Sequence, residues 1–152
     1  IPMFNSTSQF TKLLDEKNLR YRVLEAEGPN APDDRVLMKF QGHYASMETC
    51  VFFPEKVQLA GVRIFRVAQV PVEKREEVLR LLNQWNRRFV LAKFYLDPSS
   101  GFVEIAVDVL YQEDNGAQLC FEALNRAVST CDMVFPTLLE AMGDFQAKPE
   151  NS

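Results

Sequence analysis

Leu82-Asn83-Gln84-Trp85-Asn86, Ala92-Lys93-Phe94-Tyr95-Leu96-Asp97, Phe121-Glu122-Ala123-Leu124-Asn125, and Asp132 through Phe135-Pro136-Thr137-Leu138 mark the stretch that decides the fold. It reads as two asparagine-bearing amphipathic helices bracketing a β-hairpin. Val78, Leu81, Leu82, Trp85 and Phe89 recur at helical intervals, which predicts a helix over residues 73–87 once Pro71 has ended the strand before it. Residues 89–97 and 102–111 are strands joined by Pro98-Ser99-Ser100-Gly101, a loop with the residues a short hairpin needs. In the second of them Val103, Ile105, Val107, Val109 and Tyr111 alternate with Glu104, Asp108 and Gln112. Asn115 and Gln118 open a long helical segment carrying Leu119, Phe121, Leu124 and Val128. Pro136 lacks a backbone donor, so this segment is expected to kink or restart near 132–136 before running to about Phe145.

Toward the N-terminus the signals are shorter. Ser6 to Gln9 has capping-box spacing, and Phe10, Leu13, Leu14 and Lys17 follow helical phase, predicting a helix over 7–18. Residues 21–27 read as a strand, and the breaker-rich Gly28-Pro29-Asn30-Ala31-Pro32-Asp33 turns the chain back. Val36, Met38 and Phe40 then alternate with Leu37, Lys39 and Gln41, a strand with one face buried and one partly wet. After the Gly42-His43 turn come strands over 45–53 and 61–70. In the latter, Val62 and Ile64 share one face while Phe65 and Val67 share the other, so either both faces are covered or a bulge shifts the phase. The order α-β-β-β-β-α-β-β-α is an α+β fold: a mostly antiparallel β-sheet with N-terminal, middle and C-terminal helices. One domain is expected over 1–147, with a flexible C-terminal tail at 148–152.

The motifs quoted above together resemble the YbjN family, described as bacterial sensory-transduction regulators. The resemblance covers the second half through its motifs and the first half through element order. It implies a fold shared with type III secretion chaperones, small dimeric proteins that grip unfolded partner segments, and therefore a function in binding rather than catalysis.

Composition bounds the function independently. A net charge of −4 argues against phosphate-backbone binding, so direct nucleic-acid contact is not expected. Lys74, Arg75, Arg80, Arg87 and Arg88 are interleaved with Glu73, Glu76 and Glu77, the pattern of a solvated helix face. No apolar run approaches the roughly 18 residues of a membrane span, and Ile1 to Ser8 lack the features of a leader. No membrane contact and a cytoplasmic location are the expectation. Three Cys without paired spacing fit a reducing compartment.

Catalytic chemistry finds little footing. His43 is the single histidine, placed in a turn, where solvation or a local hydrogen bond is the simpler role. Cys120 lies among Leu119, Phe121 and Leu124, an apolar setting that raises a thiol's pKa, and Cys50 and Cys131 have no activating neighbour in sequence. Glu104 and Asp108 share one side of a strand, with Asp97 near the hairpin, but two carboxylates on a wet face need burial or coupling to do acid–base work. There is no Walker loop, Gly-x-Gly-x-x-Gly, Cys-x-x-Cys or Gly-x-Ser-x-Gly. A non-enzymatic protein-binding module is expected, chaperone-like or a regulatory adaptor, acting as a homodimer without cofactor or metal. Phe52, Phe53, Ile64, Phe65, Trp85 and Tyr95 are its candidate partner or dimer contacts, because strands apolar on both faces exceed what one monomer's helices cover. The alternative is a small-ligand sensor with a pocket between helix and sheet, to which Asn83, Asn86 and Asn125 would lend polar groups.

Overall fold

The computed structural model describes residues 3–143. The tail expected at 148–152 lies outside the described residues. The elements are α1 (Asn5–Glu16), β1 (Arg22–Leu24), β2 (Asp34–Gln41), β3 (Ser46–Phe53), β4 (Leu59–Gln69), α2 (Arg75–Arg88), β5 (Lys93–Leu96), β6 (Phe102–Leu110) and α3 (Gly116–Ala141). The strands form one sheet in the order β1-β2-β3-β4-β6-β5, with every neighbouring pair antiparallel. This is the expected α+β arrangement.

All three helices pack on one face of the sheet. α1 meets β2, α3 meets β3, β4 and β6, and α2 meets β5, while α3 also touches both other helices. The strand residues turned toward them form the core: Val36 and Met38, Val51 and Phe53, Val62 and Ile64, Val103, Ile105 and Val107. Because strand side chains alternate, the opposite face carries Leu37, Phe52, Arg63, Phe65, Glu104 and Asp108, and among the described residues no helix covers it.

Three sequence expectations change, and one alternative left open is resolved. The capping box at Ser6 does not form: Phe4 holds the N-cap position without a side-chain cap, and α1 starts at Asn5. The buried Asp34 of β2 takes over, accepting Phe4 N–H at 2.8 Å and the Thr7 hydroxyl at 2.7 Å on Oδ2, and Ala26 N–H at 2.8 Å on Oδ1. The ambiguous phase of β4 resolves as a bulge, with the register to β6 shifting between Ile64 and Ala68 and Arg66 at φ 52°.

The strand expected from residue 89 begins only at Lys93, because the end of α2 captures its first residues. The Lys93 ammonium donates to the carbonyls of Asn86 and Phe89, and the Asn86 side chain brackets Phe94 by accepting its N–H at 2.7 Å and donating to its carbonyl at 3.1 Å. Finally, α3 passes through Pro136 without restarting. The proline leaves the Asp132 carbonyl without its usual donor, but Cys131, Val134 and Leu138 remain buried on either side of the gap and hold the helix to the core. It stops at Ala141 rather than near 145, where Gly143 at φ 79° closes it in a left-handed cap bonded to Glu140 O.

Candidate functional site

The uncovered sheet face is built in rows, since residues paired across strands stand side by side. Leu24, Arg35, Phe52, Gly61 and Asp108 form one row, and Arg22, Leu37, Cys50, Arg63, Ala106 and Lys93 the next. Lys39, Glu48 and Phe65 begin a third, continued beyond the bulge by Glu104 and Tyr95. Phe52 and Phe65 lean toward one another across the middle row and meet edge to face, with ring centroids 6.3 Å apart. Cys50 lies between them in the register and is only 1% exposed. Burial pushes its thiol up to about 11, against the pull of Arg35 and Arg63.

Charge is unevenly spread over this face. The β1–β2 half presents Arg22, Arg35 and Lys39. The β6 half presents Glu104 and Asp108, with Arg63 of β4 donating to Asp108 at 2.8 Å. Lys93 belongs to this half by register, but its ammonium is turned to the end of α2. Two open grooves flank Phe65 and Glu48, each of about 490 Å³; one is bounded by Tyr21, Arg22, Leu37 and Lys39, the other by Arg66, Asp97, Phe102 and Glu104.

The six expected contact residues divide between the two sides of the sheet. Phe52, Phe65 and Tyr95 stand on the open face, with Tyr95 49% exposed. Phe53, Ile64 and Trp85 do not: they are buried in the monomer's own core, Phe53 against Phe10 and Trp85 against Phe94. Helix α1 covers Phe53, α3 lies over Ile64, and Phe94 of β5 packs on Trp85. Leu37, Arg35 and Arg63 also belong to the open face and are not among the six. The signal was present in β2, where Leu37 breaks the polar side of the alternation.

Of the catalytic candidates, Asp97 and Glu104 line the same open groove, and the others lie apart from it. Asp97 is engaged in its own turn, where the Ser99 N–H holds its carboxyl below the usual range, and Asp108 is paired with Arg63. Cys120 and Cys131 are buried in α3, and desolvation pushes both up to about 12. His43 is exposed and meets Asp132 of α3, Nδ1 to Oδ2 at 2.6 Å, while its backbone N–H donates to Oδ1 at 2.8 Å. Gly42 permits this approach, since a Cβ there would stand 2.6 Å from Met47 Cε and 2.7 Å from Asp132 Oδ1. Among the described residues no three potential ligand side chains cluster as a metal site. The cavity beneath α3, between Met47, Ile64, Cys131 and Phe135, is only about 10 Å³, room for about one water. Asn83 and Asn125 are exposed, and Asn86 is spent on Phe94. No helix among the described residues is long and apolar enough to cross a membrane.

A family model described as "YbjN: Putative bacterial sensory transduction regulator" matches residues 9–140. No curated protein and no solved structure is significantly similar to the chain.

Proposed function

The chain belongs to the YbjN family, and from that membership and its one-sided architecture we propose that it serves regulation by noncovalent protein association, as a homodimer, through the open face of its sheet. The family's description assigns a regulator in sensory transduction. One observation carries the finer reading: three helices cover one face of a six-stranded sheet and leave Phe52, Phe65, Leu37 and Tyr95 on the other. Apolar and aromatic side chains rimmed by charge are the usual make-up of a protein-binding surface. The proposal takes the protein as a single-domain, non-enzymatic, cytoplasmic module, chaperone-like or an adaptor, with no cofactor of its own. The narrow space under α3 gives the ligand-sensor alternative no support.

Size-exclusion chromatography with light scattering over a concentration series tests this. A mass of about 35 kDa, twice the 17.4 kDa chain, that persists on dilution and falls in Phe65→Glu is expected. A 17.4 kDa species at every concentration overturns the homodimer.

A further inference from the structure

Resting on the association reading above, we infer that the occupant of the open face is a second copy of this chain, packed sheet against sheet about a two-fold axis that runs along the strands between β3 and β4. The strand order makes this axis special. It divides the sheet β1-β2-β3 from β4-β6-β5, so a rotation about it lays β2 on the second copy's β6 and β3 on its β4. Residues keep their height along the strand under that rotation, and the rows of the register therefore become a list of partners. With strands about 4.8 Å apart, β2 and β6 stand about 7 Å to either side of the axis, where a roughly 30° angle between packed sheets displaces facing residues by about 4 Å, less than the roughly 7 Å between same-face neighbours.

The rows match in charge and in volume. Lys39 falls on the second copy's Glu104, and Arg35 on its Asp108. Leu37 falls on Ala106 and Phe52 on Gly61, a large side chain over a small one each time. Each pairing occurs twice by symmetry. Among the described residues Arg35, Lys39 and Glu104 have no ion-pair partner within the monomer. Less favourable meetings are Glu48 over Phe65, Cys50 over Arg63 and Arg22 over Lys93; the last is relieved because the Lys93 ammonium is bonded to the Asn86 and Phe89 carbonyls at the end of α2. The other two-fold, running across the strands, would lay β2 on β2 and bring Arg35 against Lys39, so like charge selects against it. Alternation in charge, not apolar area alone, thus identifies the occupant as the same sequence.

Charge exchange in the full chain tests the register. Lys39→Glu and Glu104→Lys are each expected to reduce the 35 kDa species to 17.4 kDa, with circular dichroism confirming that both variants stay folded. Mixed in equal amounts they are expected to recover about 35 kDa, because Lys39→Glu then faces Glu104→Lys in one contact and the native Glu104 faces the native Lys39 in the other. Two folded variants that remain dimeric, or a mixture that remains at 17.4 kDa, overturn the placement while leaving homodimerisation through another surface intact. A wild-type chain that is monomeric throughout overturns both the placement and the homodimer.

Discussion

The carboxylate of Asp34, with none of its surface exposed, accepts the hydroxyl of Thr7 at 2.7 Å. Through this contact the second strand holds the first turn of α1, and the same carboxylate binds the backbone of Phe4 and Ala26. One side chain thus replaces a helix cap and closes the β1–β2 connection.

Asp34→Ala strands these three donors around a void. Hydrogen bonds to a charged group contribute about 1.5–3 kcal/mol each and are not additive, so a loss of about 3 kcal/mol is expected. Urea unfolding followed by circular dichroism measures it, and Thr7→Val should cost less than half as much. Equal losses would show that the hydroxyl, rather than the carboxylate, organises the junction.

Asp132 predicts a pH dependence. The hydrogen bond from His43 holds its carboxyl below the ordinary range, helped by the His43 backbone N–H. A depressed folded-state value means that the stabilisation is complete above the unfolded Asp value, about 3.9, and is lost as pH falls through the lower folded value. Stability measured between neutrality and strong acid should therefore fall less steeply in Asp132→Asn than in the wild type. Parallel profiles would show that the His43–Asp132 contact contributes nothing to acid stability.

Pro136 sits where α3 lacks a hydrogen bond to the Asp132 carbonyl. Pro136→Ala restores the donor and a better helix former, and a gain of about 1 kcal/mol is expected. A raised melting temperature checks it; a lowered one would mean that the surrounding turn requires the proline ring.

All three cysteines are buried, with thiols pushed to about 11 or 12. Since the thiolate is the reactive form, native protein at neutral pH should be nearly inert to Ellman's reagent and should release three equivalents on denaturation. Rapid reaction of one thiol in the native chain would expose an opening of the Phe52–Phe65 cover over Cys50.

Local pattern carried much of the fold. Residues 78 to 89 announced α2 because one stripe of Val78, Leu82 and Trp85 is enough to fix a helical period. Residues 102 to 110 announced β6 by strict alternation. The shortened β5 was not legible, since it follows from Lys93 and Asn86 closing the end of α2, nor was the intact α3, since burial around Pro136 outweighs the lost backbone bond. Of the six candidate residues Phe52, Phe65 and Tyr95 stand on the open face and Phe53, Ile64 and Trp85 belong to the core, while Arg35, Leu37 and Arg63 joined that face only with the register.

The sequence by itself determined the kinds and order of the elements, and with them the α+β class, because periodicity, glycine and proline act over a few residues. Only the tertiary structure decided which face of the sheet stays open. Alternation says that a strand has two sides, but which side a helix covers depends on contacts such as α1 with β2 and α3 with β4 and β6, made between residues far apart in the chain. His43 and Asp132, 89 positions apart, meet for the same reason: their attraction has meaning only after the β2–β3 turn has been carried to the side of α3.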